Sequence, residues 1–150
     1  MTLMKINEIP SQDTLQLRND ILRPGKARSE CVFEGDNAQK TRHFGAFDDA
    51  ANIEGIVSVY CNQNPLISHE VAYQIRAMAT SRQSRGQGIG RLLLSAAEEY
   101  AKTAGASVVW ANARQSAIGF YKKAGYDVIS EEFVIDGIGP HYLVSKSLTL

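Results

Sequence analysis

Apolar positions along the chain follow two periods, and the switches between them mark out the elements. Residues 3–9 alternate and predict a first strand. Pro10-Ser11 then supplies a turn and an N-cap for a helix over 12–22, which Arg23-Pro24-Gly25 stops. From 25 to 37 the chain is polar and aperiodic, so a loop, or a loop with a short helix, is all the pattern supports. Residues 41–47 and 53–61 read as paired strands, the second rich in Ile53, Ile56, Val57 and Val59. Asn62-Gln63-Asn64-Pro65 breaks the run before a strand over 73–79. Ile89, Leu92, Leu93, Ala96, Ala97, Tyr100, Ala101 and Ala104 then recur at the spacing of a helix with one buried face, and Gly105 ends it. Val108-Val109-Trp110 is a short apolar strand of the kind buried on both sheet faces. Ala117, Phe120, Tyr121 and Ala124 put one face of the next helix on the core, and Gly125 stops it. Residues 126–135 and 141–148 predict a closing hairpin around 136–140. The order β-α-β-β-β-α-β-α-β-β is an α/β fold with a mixed sheet.

Composition narrows the class. The 150 residues suit one domain, 1–150, and 44% hydrophobic with 21% charged residues is ordinary for a soluble globular protein. Lys+Arg and Asp+Glu balance at 16 each, so no net field favours nucleic acid or an anionic membrane. No apolar run approaches the ~20 residues of a membrane span. Met1-Thr2-Leu3-Met4-Lys5 lacks a signal-peptide layout, which points to a cytoplasmic protein. Cys31 and Cys61 are isolated thiols without metal spacing, so no metal site is expected.

The chemistry concentrates in Arg85-Gly86-Gln87-Gly88-Ile89-Gly90, between a strand and a helix. Glycines allow close backbone approach, and the first helical N–H groups lack partners of their own, so the turn suits a phosphate. A P-loop is excluded, because Arg91-Leu92 follows Gly90 where lysine and a hydroxyl are required. A dinucleotide fingerprint is excluded too: the glycines are spaced G-x-G-x-G, and the next strand ends at Ala111-Asn112 with no carboxylate. A tight turn without a ligand is the plain alternative.

Arg85-x-x-Gly88-x-Gly90 after a strand resembles the acyl-CoA signature of the GNAT superfamily of N-acetyltransferases. A second block, Trp110 to Arg114 and Phe120 to Tyr126, is similar to that superfamily's next strand and helix. The likeness is closest over 73–126, with looser echoes at 17–25 and 137–141. It implies a mixed, mostly antiparallel central sheet of about seven strands flanked by helices. It also implies acetyl-CoA as cosubstrate and a small-molecule amine as acceptor, in a monomer or homodimer. Arg85, Gly86, Gln87, Gly88, Ile89, Gly90 and Arg91 would then surround the pyrophosphate. Backbone groups near Met78, Ala79 and Thr80 would pair with the pantetheine arm, one N–H facing the thioester carbonyl.

Tyr121 is the candidate general acid for the departing thiolate, although it also fits the buried helix stripe. Asn112 either bonds the pantetheine or satisfies a strand end. Arg114 serves the acceptor or a surface, and Trp110 reads as core. The glutamate that some relatives use as base falls at Gln74, which cannot accept a proton usefully. Glu70, His69 and His141 are the titratable neighbours, and water is the remaining route. Glu30, Glu34 and Asp36 either draw a cationic acceptor or form a solvated acidic loop. Two rival functions stay open: a non-catalytic acyl-CoA-binding or interaction domain, and acetylation of a protein or peptide amine.

Overall fold

The computed structural model describes residues 4–67 and 70–148. Strands β1 (Lys5–Ile9), β2 (Arg42–Phe47), β3 (Ile53–Tyr60), β4 (Ala72–Thr80), β5 (Val108–Arg114), β6 (Asp127–Val128), β7 (Phe133–Ile135) and β8 (Gly139–Ser147) share one sheet. Its order is β1-β2-β3-β4-β5-β8-β6, with β7 also on β8. Only β4 and β5 run parallel; every other pairing is antiparallel. The expected α/β mixed sheet is therefore present, with eight strands rather than seven.

The extra strand comes from a break in the predicted hairpin arm over 126–135. Ile129 still donates its N–H to Leu143 O at 2.9 Å, but the ladder then breaks over 130–132, where the N–H of Leu143 donates to Ser130 Oγ at 2.8 Å instead of to a carbonyl. A polar side chain replaces one rung of the ladder, and the arm becomes β6 and β7. Leu3, at the start of the first predicted strand, lies outside the described residues.

Helix α2 (Ile89–Thr103) and helix α3 (Ile118–Lys123) cover one face of the sheet. Ile89, Leu93, Leu94, Ala97 and Ala101 pack there with Val57, Val59, Ile75, Val109 and Tyr121. The predicted stripe needs two corrections, at Leu92 and at Ala104, the second being exposed just past the helix end at Thr103. At about 100° per residue, Leu92 falls outside the arc that Leu93 and Ala97 define, and it is 46% exposed while Leu94 is buried. Gly105 (φ 98°) and Gly125 (φ 95°) follow the two helices in left-handed conformation, as stop residues should. None of the helices among the described residues is long and apolar enough to cross a membrane.

The opposite face is covered by α1, the helical stretch 11–22. It runs as a 3-10 turn Ser11–Thr14, an α turn Leu15–Leu17 and a π turn Arg18–Leu22. Leu17 joins Ile56 and Ala79 in a small apolar cluster beneath it. Beside that cluster is a buried polar network. Arg18 is fully buried and donates to both carboxylate oxygens of Asp36, at 2.6 and 3.1 Å. Its guanidinium also reaches Cys31 O, Ser58 Oγ and Tyr60 OH. His43 Nε2 sits 2.8 Å from the Asp36 carbonyl and must carry the proton, so Nδ1 accepts from Ser58 Oγ at 2.6 Å. Burial alone would raise the Asp36 pKa, but hydrogen bonds from Arg18, Tyr60 and the Phe33 N–H hold it below the usual carboxylate value.

This network ties loop 31–37 and α1 to β2 and β3. Removing one member leaves the other charge buried and uncompensated, which costs about 3–5 kcal/mol. Asp36→Asn is therefore expected to lower the unfolding free energy by about that much in urea titration; a loss under about 1 kcal/mol would show that the ion pair is not what anchors the loop.

Candidate functional site

The site begins where two strands part. β4 and β5 are paired through Ala72↔Val108, Tyr73↔Val109 and Gln74↔Trp110, and no further. β4 nonetheless continues to Thr80 and β5 to Arg114. On its other edge β4 stays paired with β3, but Ile56↔Ala79 and Ser58↔Arg76 leave Val57 facing both Ala77 and Met78. That is a β-bulge, and Ala77 takes φ 58°, a conformation costing a non-glycine residue of order 1 kcal/mol. Past the bulge, the N–H of Ser81 donates to Glu54 O on the β3 side at 2.9 Å. Strand alternation turns the N–H of Thr80 the other way, into the fork. Backbone groups of β4 thus line one side of the opening without a strand partner.

The glycine turn stands at the mouth of the fork. Gly86 (φ 82°) and Gly88 (φ 76°) are left-handed, and a Cβ on either would meet nothing within 4 Å. Gly88 caps α2 without a side-chain bond, so the amides of the first turn are open. Arg85 and Gln87 are exposed beside them. Gly90 has another reason to be glycine: a Cβ there would come within 3.2 Å of Phe120, so it sets the spacing between α2 and α3. Ile89 is buried in the core and can serve the cradle only through its backbone. The Arg91 guanidinium donates to Lys123 O at 3.0 Å, at the end of α3, and so has a partner other than a phosphate. Met78 packs toward Gly90 on the α2 side, and Ala79 is buried on the α1 side.

Tyr121 is 8% exposed, with its ring edge-on to Phe120 and Tyr126 at centroid distances of 5.3 and 5.2 Å. Its hydroxyl has no hydrogen-bond partner among the described residues, and burial pushes the phenol up to about 12. Asn112 is exposed on β5 beyond the fork, with Arg114 two residues further on. Trp110 is buried and donates from Nε1 to Asn62 O at 2.9 Å.

Gln74 sits at the apex of the fork, where Asn62 Nδ2 donates to its Oε1 at 2.8 Å. Glu70 lies at the other end of β4, receiving a bond from Ser107 Oγ. His141 is paired in register with Arg114, and its Nδ1–H donates to Gly139 O at 2.8 Å. His69 lies outside the described residues.

The three acids of the loop do not share one exposed patch. Asp36 is bound to Arg18, Glu30 Oε2 accepts from the Ala27 N–H, and Glu34 alone is exposed without a partner among the described residues. Sequence reasoning missed three features here. They are the bulge at Ala77, the burial of Arg18, and a cluster on the α1 side in which Arg23 and Arg76 both reach the ring of Phe33. The available signal was Arg76, a charge inside an otherwise uncharged strand run. A separate cavity of about 850 Å³ opens between α1, the β2–β3 turn and Arg82–Gln83, and no residue of β5 or α3 lines it.

Comparison with known proteins agrees with this geometry. A family model described as an acetyltransferase (GNAT) domain matches residues 22–141. The N-acetyltransferase YitI of Bacillus subtilis (strain 168), itself uncharacterized, is 35% identical over 146 residues, covering 97% of each chain. Among solved structures, an aminoglycoside 6'-N-acetyltransferase complexed with coenzyme A superposes with a TM-score of 0.77 at 14% identity, over 98% of both chains. The phosphinothricin acetyltransferase of Sinorhizobium meliloti, in complex with AcCoA, gives 0.76 at 14% identity, over 97% of this chain and 88% of that one.

The buried phenol gives a pH signature. An unfolded tyrosine ionises near pH ~10, whereas Tyr121 holds its proton up to about 12. Its contribution to stability is thus full below the unfolded value and is lost as pH rises through that window. Urea midpoints of the wild type are expected to fall over this range more steeply than those of Tyr121→Phe. Equal slopes would mean that the phenol is solvated.

Proposed function

The chain belongs to the GNAT acetyltransferase family, acyltransferases whose cosubstrate is acetyl-CoA, and we propose that it transfers the acetyl group to a primary amine of a small molecule by direct attack on the thioester. The observation that carries this reading is the fork: a strand edge with unpartnered backbone groups beside an open glycine turn. The turn fits a pyrophosphate, since Gly86 and Gly88 leave free the space that side chains would fill. Arg85 and Gln87 flank it, and the amides of Gly88, Ile89 and Gly90 face it. Along the fork, the backbone from Met78 to Thr80 bonds the pantetheine arm as a neighbouring strand would. One of those N–H groups polarises the thioester carbonyl. Asn112 bonds the arm from the β5 side.

In the reaction the amine nitrogen forms a bond to the carbonyl carbon, the carbon–sulfur bond breaks toward sulfur, and one proton moves from nitrogen to sulfur. A phenol at about 12 is a weaker acid than a thiol near ~8.5, so Tyr121 acts by hydrogen-bonding the sulfur as charge builds rather than by giving up its proton. The proton that ends on sulfur is then the one the amine nitrogen loses. This revises the general-acid expectation for Tyr121. Gln74 cannot serve as base, and its oxygen is already engaged by Asn62. The acceptor must therefore arrive with its lone pair free, or lose its proton to water.

A thiol-release assay with acetyl-CoA and a panel of small amines and peptides tests this reading. Amine-dependent release from the small molecules is expected, and Tyr121→Phe should lower kcat about 10²–10³-fold with near-normal acetyl-CoA affinity. Tight acetyl-CoA binding without release by any amine would favour the non-catalytic reading, and release with peptides alone would favour a protein acetyltransferase.

A further inference from the structure

Two arginines on the α1 side of the sheet have no acid partner among the described residues. Arg76 precedes the bulge on β4, two residues past Gln74 and on the same face. Its guanidinium lies 4.7 Å from the centroid of Phe33 and 5.6 Å from that of Tyr60. Arg23, which ends α1, lies 4.9 Å from the same Phe33 centroid. Arg18 reaches that ring as well, at 4.3 Å, but its charge is met by Asp36. Neither the Arg23 nor the Arg76 side chain makes an ion pair or a hydrogen bond among the described residues.

Of the acids around them, Glu34 next to Phe33 is exposed and pairs with neither arginine, and two others are engaged elsewhere. Asp36 is held by Arg18, and both oxygens of Asp20 accept from Gln16 Nε2, at 3.0 and 2.9 Å. The backbone of Phe33 is anchored, because its N–H donates to Asp36 Oδ2 at 2.8 Å. The buried ion pair thus anchors the segment that carries the ring, and the ring gathers two guanidiniums with no ion-pair partner among the described residues. Each lies within 5 Å of the centroid of one ring, like charges so gathered repel, and their N–H donors have no partner among the described residues. An anionic oxygen group relieves both deficits, since a guanidinium fork matches carboxylate and phosphate geometry.

We infer that the acceptor is an amine bearing an anionic oxygen group, a carboxylate or a phosphate, and that Arg23 and Arg76 with Phe33 form its subsite. This rests on the acyltransferase reading above. Arg76 stands beside the apex of the fork, so an anion bound there leaves an amine a few bonds away able to reach the thioester. The charge of the site is therefore opposite to what Glu30, Glu34 and Asp36 suggested.

Matched acceptors test the inference: an amino acid against its amide, and an aminoalkyl phosphate against the corresponding amino alcohol. In at least one pair the anionic member is expected to have a kcat/KM roughly 10–100-fold higher, mainly through KM. The pair that responds tells carboxylate from phosphate. Arg76→Gln and Arg23→Gln should each collapse that preference, and Arg76→Lys should restore part of it. Thermal midpoints confirm folding, and the two separate arginines keep the test open should one variant fail. Equal rates within both pairs, or variants that leave the preference intact, would overturn the subsite. If no amine turns over at all, the transferase reading has failed instead. The subsite is then judged by calorimetric titration of inorganic phosphate and of acetate into CoA-saturated protein, which keeps the glycine turn covered. Binding that disappears in Arg76→Gln supports it, and no binding to the wild type overturns it.

Discussion

Backbone N–H and C=O groups must find partners, and the central strands of this sheet decline to provide them. After Gln74 and Trp110, β4 and β5 separate, although both continue for several residues. A sheet interior normally avoids this, because unpaired edges cost free energy and invite another chain. Here the departure is built in. The bulge holds Ala77 at φ 58°, and β3 keeps hold of β4 on the far edge while the near edge opens. The glycine turn, α2 and α3 are arranged around that opening, with Gly90 spaced against Phe120 so that the two helices close over one face.

The other face depends on charge rather than on apolar packing. α1 is short and irregular, and its apolar cluster is small. The Arg18–Asp36 pair supplies what that cluster lacks. It is bonded in turn to Ser58 and Tyr60 on β3, and through Ser58 to His43 on β2. Such pairs contribute little net stability against an apolar substitute, but they fix geometry because any misfit leaves a charge unmet. What this one anchors is the backbone of Phe33, whose ring gathers the two arginines on the α1 side of the sheet. Stability on this face and the chemistry proposed for it share the same residues.

Much of this was legible in the chain. The buried stripe of α2, its glycine stops and the turn at 85–90 follow from periodicity and glycine spacing, which are local properties. Leu92 was misread because it is as apolar as its neighbours, and only helical phase separates it from Leu94. The division of β6 from β7 depends on one hydroxyl of Ser130 taking a ladder bond, which no pattern of apolar residues encodes. Nor could the bulge be seen: Ala77 lies within an ordinary strand run, and its conformation is set by β3 across the sheet. Asp36 read as part of either an acceptor patch or a solvated loop because its partner, Arg18, lies 18 residues away in a separate predicted element, where no local pattern pairs the two. Charges at long sequence separation are where single-sequence reasoning fails first.

The claim on which the rest depends is that the open edge of β4 is completed by the acyl-CoA arm. Residue-resolved hydrogen exchange measures this directly. In the free protein the Thr80 amide has no strand partner and should exchange fast, while the Ser81 amide, bonded to Glu54, should be protected. Saturating acetyl-CoA is expected to slow exchange at residues 78–80 together with the amides at 86–90. Protection confined to the cavity between α1 and the β2–β3 turn, with residues 78–80 unchanged, would contradict the account.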